Sequence, residues 1–125
     1  GRIPATATEA GFAAAVDALE QAGKPREARA AYLALLARWP GSEPGMIGLG
    51  NTEYALKDLA GAERAFRRAS EAHPASVTAL NNLAHVLAAQ GRYEEAEVTA
   101  RRAVAQAGPL QPRARKTLEE ILQRR

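Results

Sequence analysis

The chain has 125 residues, with 17 Lys and Arg against 14 Asp and Glu, 46% hydrophobic residues and a formal charge of +3. That is the balance of a folded globular domain and not of a disordered tail, and the length suits one domain. The absence of cysteine excludes disulfides, thiolate metal sites and cysteine nucleophiles within the chain, and no apolar run approaches the ~20 residues of a membrane span. Alanine is abundant, at 30 residues, while Phe, Trp and Tyr make up only 5%, so helices must pack closely without large side chains between them. The basic excess lies in the second half: residues 63–125 carry 11 basic and 7 acidic side chains, residues 1–62 carry 6 and 7. Such a balance permits an acidic partner without requiring one. The start at Gly1 instead of Met reads as a segment cut from a longer protein.

Residues 1–7 read as an extended linker, and the repeats begin after it. Shifting the sequence on itself by 34 residues aligns it three times. Thr8, Ser42 and Ser76 share one column, each a helix N-cap type whose hydroxyl accepts an orphan backbone N–H. Phe12, Met46 and Leu80 follow, then a turn column of Gly23, Lys57 and Gly91, then the all-alanine column of Ala28, Ala62 and Ala96. Tyr32, Phe66 and Ala100 come next, and Pro40, Pro74 and Gly108-Pro109 close the units. Apolar spacing is helical throughout, as in Leu80, Leu83 and Leu87, and no segment alternates with period two over strand length. The predicted helices are 8–22 and 25–38, 42–56 and 59–72, 76–90 and 93–106, with a seventh at 111–124 whose Leu118, Ile121 and Leu122 face the third unit. Pro25 suits a first helical turn, and glycine at the turn column tolerates the left-handed conformation that ends a helix.

A 34-residue helix-turn-helix unit with these columns resembles the tetratricopeptide repeat. The clearest matches are Leu49-Gly50, Ala62, Phe66, Ala69 and Pro74, then Leu83-Ala84, Gly91, Tyr93, Ala96 and Ala103. The first unit is more divergent, keeping Gly23, Ala28, Tyr32 and Pro40. The resemblance implies an all-α fold: a right-handed α-solenoid of three repeats, about 8–41, 42–75 and 76–109, plus a C-terminal capping helix. Three departures should loosen the packing locally: Glu53 where the other units have Leu19 and Leu87, Lys57 for glycine, and Ala100 for an aromatic. Tyr32 and Phe66 read as core, and Trp39 as packing on the helix that follows it. A second, more particular resemblance rests on the Gly1–Ala7 lead and the strings Gly48–Tyr54 and Asn81–Arg92. These look like the C-terminal repeat segment of bacterial envelope proteins whose N-terminal domain is similar to papain-like, double-glycine-type peptidases. It implies a non-catalytic docking arm of a larger bacterial peptidase-like enzyme of the cell envelope or periplasm, whose catalytic machinery lies in an N-terminal part outside this chain.

The residues themselves point away from chemistry. Only His73 and His85 are available, most of a repeat apart, and no HExxH, phosphate-cradling glycine loop or calcium loop occurs. No catalytic residue, metal site or cofactor is therefore assigned. Arg67 and Arg101 each follow a glutamate by four residues, Glu63 and Glu97, the order that stabilises a solvent-facing helix. With no aromatics interleaved, these arginines do not read as a nucleic-acid surface.

The remaining candidate comes from the family resemblance, which implies a concave groove lined by the first helix of each unit. Its columns carry over as Asp17, Asn51 and His85; Ala14, Gly48 and Asn82; Glu20, Tyr54 and Ala88; and Ala13, Ile47 and Asn81. Asn51, Asn81 and Asn82 stand where helix propensity does not favour them, and an amide offers a donor and an acceptor to an extended backbone. The site set is Asp17, Ile47, Asn51, Tyr54, Asn81, Asn82 and His85, and the expected partner is a protein or peptide. Ala13 and Thr78 stand where some family members place lysines, which disfavours capture of a terminal carboxylate.

Overall fold

A computed structural model describes residues 8–125; the linker read over 1–7 lies outside them. The described residues form seven α-helices and one short 3₁₀ turn, with no strand: α1 Glu9–Gln21, α2 Pro25–Arg38, α3 Glu43–Ala55, α4 Leu59–Ala72, α5 Val77–Ala89, α6 Tyr93–Gln106, the turn Gly108–Leu110, and α7 Gln111–Arg124. Each helix falls within one residue per end of its expected range. The chain divides into two compact units, one ending at Ala65 and the other beginning at Phe66, inside α4.

All three expected caps form. Thr8 Oγ1 accepts from the Gly11 N–H at 3.0 Å, Ser42 Oγ from Gly45 at 3.0 Å, and Ser76 Oγ from Ala79 at 3.1 Å. The turn column is equally regular. Gly23, Lys57 and Gly91 adopt φ of 74°, 68° and 77°. The next residue's N–H returns to a carbonyl five residues back in each case, from Lys24 to Leu19, Asp58 to Glu53 and Arg92 to Leu87. Lys57 thus holds a left-handed conformation that glycine adopts without cost. Asp58 also accepts from the Gly61 N–H at 2.9 Å, whereas Lys24 and Arg92, at the equivalent positions, give no side-chain cap.

In the first unit, α2 packs on both α1 and α3, burying Val16, Tyr32, Leu35, Leu36, Met46 and Leu49. Ala28, Ala62 and Ala96 are all completely buried, as expected where helices cross at the short end of the usual 8–10 Å separation. Trp39 corrects an expectation: its ring packs back on Phe12 of α1, with centroids 6.1 Å apart and planes tilted by 48°, and Arg38 lies over it at 4.8 Å. Glu53 does more than loosen the packing. It is buried, with a carboxylate oxygen 4.0 Å from Arg29, which also stands 3.9 Å from Asp58. A side chain at Gly61 would place Cβ 1.9 Å from Glu53 Oε2, so the missing Cβ there makes room for the acid.

In the second unit, α7 packs on α6 and α5. Its buried stripe is Ala114, Thr117 and Ile121, spaced i, i+3, i+7, while Leu118 is half-buried. Leu122, expected on the covered side, is 41% exposed because it lies about 100° around the helix from Ile121. Ala114 joins Val77, Leu80, Ala103 and Ala107 in one apolar cluster. On the outer side, Glu97 accepts from Arg101 at 3.0 Å and also from Arg125. These hydrogen bonds hold its carboxyl below the usual range. Glu95 pairs with Arg92 at 2.8 Å and with Arg67 at 3.6 Å.

Candidate functional site

A recess of about 300 Å3 lies between α1, α2 and α3 in the first unit. The helical period builds it. Ala13, Ala14, Asp17 and Glu20 share one face of α1, and Pro44, Ile47, Gly48 and Asn51 share one face of α3. Tyr32 of α2 lines it as well. Tyr32 is 3% exposed, and a Cβ at Gly48 would stand 2.1 Å from its Cζ and 2.5 Å from its hydroxyl oxygen. Glycine at 48 is therefore what lets the phenol reach the recess. Loss of hydration on burial, then the negative charges of Glu20 and Asp17, push the Tyr32 pKa up to about 12. Thr52 ties the two walls together: its buried hydroxyl faces the Glu20 carboxylate as donor and lies 2.8 Å from the Gly48 carbonyl.

Asp17, Ile47 and Asn51 of the expected set come together at this recess. Tyr54 is 44% exposed and does not line it. In the second unit Asn82 is half-buried and His85 is exposed on α5. His85 Nε2 lies 3.1 Å from the Thr117 hydroxyl of α7. Desolvation of its imidazole lowers its pKa, against an opposing pull from Glu120 and with help from Arg113 and Arg124. Asn81 is a correction: it is 2% exposed and its Oδ1 has no hydrogen-bond partner among the described residues. Its amide is therefore buried and not presented on an open surface of α5.

Sequence reasoning set Tyr32 aside as core, and it is core, but with its polar end at the recess. The available signal was Gly48, a glycine inside a helix where the third unit has Asn82. Glu20 belonged to a groove column without being chosen. A larger depression of about 530 Å3 lies at the α5–α6 turn, lined by Gly91–Glu95 and Arg125. Its acids and arginines pair with one another, Glu94 with Arg125 at 3.8 Å and Glu95 with Arg92. Among the described residues, no group of three or more His, Asp or Glu side chains is placed to hold a metal ion, and no helix is long and apolar enough to cross a membrane.

Paired helices with a left-handed turn residue, a fully buried alanine at each crossing and a 34-residue period define a helical-repeat protein. A tetratricopeptide repeat family model matches residues 13–63 and 47–112, and the chain belongs to that family. Among solved structures it is similar to the Yersinia enterocolitica type III secretion chaperone SycD, in complex with a peptide of the translocator YopD, at 18% identity over 96% of this chain and 98% of that one, with a TM-score of 0.84. PcrH from Pseudomonas aeruginosa is similar at 21% identity over 97% and 96%, with a TM-score of 0.86. The first repeat domain of Spaghetti (RPAP3), bound to an HSP90 peptide, is similar at 20% over 92% and 93%, with a TM-score of 0.85. At these identities the likeness is one of fold. No curated protein matches the chain. The family match does not reach the peptidase-type resemblance, and the Gly1–Ala7 lead that helps carry it lies outside the described residues.

Proposed function

We propose that this chain is a protein-interaction module that holds a segment of a partner protein against α1 and α3. One observation carries the reading: the recess is open and pre-formed, and its walls combine apolar Ala13 and Ile47 with polar Asp17, Asn51 and Tyr32. Ligand sites are typically concavities of this mixed kind, with a few polar groups fixing orientation. That SycD and the RPAP3 domain were each solved with a peptide supports the same use of the fold here. Asn51 supplies an amide suited to an extended backbone. No step of the reading requires catalysis, a cofactor or nucleic acid.

The test is a binding screen on an array of short peptides, with affinities of the hits measured by calorimetry. Asn51→Ala should weaken a genuine hit roughly two- to tenfold, from one lost hydrogen bond at ~0.5–1.5 kcal/mol. Arg68→Glu with Arg102→Glu, on exposed positions of α4 and α6, should change little. The reverse pattern, in variants that melt like the parent, would place the binding surface on the basic side.

A further inference from the structure

The lining of the recess holds two acids and no basic residue. Asp17 and Glu20 stand three residues apart on α1 and both line it. Other acids of the chain stand beside arginines, as in Glu53 and Asp58 with Arg29, or Glu97 with Arg101. Neither Asp17 nor Glu20 has a cationic partner among the described residues; the hydrogen bond of Glu20 is to the neutral Thr52 hydroxyl. Two uncompensated carboxylates facing one small concavity repel each other and attract a cation.

A second observation is independent of the acids. Tyr32 is 97% removed from solvent by its 3% exposure, yet its hydroxyl makes no hydrogen bond among the described residues while it lines the recess. The absent side chain at Gly48 keeps that end of the ring clear of obstruction. The phenol oxygen can accept a hydrogen bond from an N–H donor entering the recess, and its raised pKa keeps it neutral at physiological pH.

We propose that the recess takes one lysine or arginine side chain of the bound segment, its cationic head against Asp17 and Glu20, with the Tyr32 oxygen as a further acceptor. Both cations carry donors and no acceptors, which suits two carboxylates and a phenol oxygen that can each accept. Their alkyl stems suit Ala13, Ala14 and Ile47 on the walls. An acidic or phosphorylated segment is excluded from this recess by the same two carboxylates, although the chain as a whole is basic.

This rests on the recess being the anchor of the bound segment, so the test separates the two. The probes are soluble octapeptides with acetylated and amidated ends, carrying lysine, arginine, norleucine or glutamate at each position in turn. Two-dimensional amide NMR of the full chain reports where they bind. Lysine and arginine should exceed norleucine about five- to tenfold at one position, a preference that falls as salt is raised. Asp17→Asn with Glu20→Gln should abolish that preference while leaving norleucine peptides bound, and Glu20→Gln keeps an acceptor for Thr52. Tyr32→Phe, which retains the ring over Gly48, should reduce the preference in part. Peptides that shift Ile47 and Asn51 without a charge preference, or with a preference for glutamate, overturn this inference and leave the interaction reading standing. If no peptide shifts those residues, the interaction reading fails and this one fails with it.

Discussion

The ring of Tyr32 occupies the space that a side chain at Gly48 would need, since a Cβ there would lie 2.1 Å from Cζ. The two residues sit on α2 and α3, the second helix of one repeat and the first helix of the next. The ring can lie so close to the α3 backbone only because Gly48 has no side chain, and it is deeply buried.

Gly48→Ala should therefore destabilise the protein by about 1–3 kcal/mol, the usual cost of overpacking. Thermal melting of Gly48→Ala, Tyr32→Leu and the double variant would show it. The double variant should be markedly less destabilised than the two single effects added, because the smaller residue vacates the site of the clash. Strict additivity would mean that the ring and Gly48 are not in contact.

Lys57 holds φ of 68° where the equivalent turns have Gly23 and Gly91. A side chain in the left-handed region is strained, while glycine costs more entropy in the unfolded chain. The first effect should win, so Lys57→Gly is expected to stabilise by about 0.5–1 kcal/mol. Urea titrations check this through a higher midpoint at unchanged slope. A loss of stability would indicate that the Lys57 side chain makes a compensating contact.

Glu53 gives a pH signature. Burial pushes its carboxyl above the ordinary value of 4.5, Arg29 opposes this, and Asp58 adds to it. Because its pKa is higher in the folded state, the fold takes up protons from 4.5 upward. The contribution of Glu53 is therefore most favourable below the unfolded value and is lost as pH rises through the folded one. Glu53→Gln, which cannot ionise, should gain on the parent as pH is raised from 4.5 towards 7.5, read as a widening gap between urea midpoints. Parallel profiles would show that Arg29 neutralises the acid fully. His85 tilts the parent in the opposite sense near its ordinary value of 6.5, since its folded pKa is lowered. That slope is common to both proteins and cancels in the comparison.

The repeat period, the caps at Thr8, Ser42 and Ser76, the turn column and the helix bounds were legible in the residues alone. Each depends on contacts within four or five positions along the chain, and those contacts recur every 34 residues. The alanine column was legible for a related reason: a close helix crossing excludes every larger side chain, so the constraint is written in composition. What each polar residue does was decided only by the tertiary structure. Asn81 and Asn82 are adjacent amides, and a 100° step around α5 buries one and leaves the other partly open. Glu53 sits among helix-packing positions because Gly61, Asp58 and Arg29 converge on it from other segments. Tyr32 reads as core from its column, and it becomes part of a site because a glycine sixteen residues later leaves its hydroxyl facing a recess edged by two acids from α1. Periodicity reports which face of a helix is covered; it does not report what covers it, and for a polar side chain the identity of that neighbour sets the chemistry.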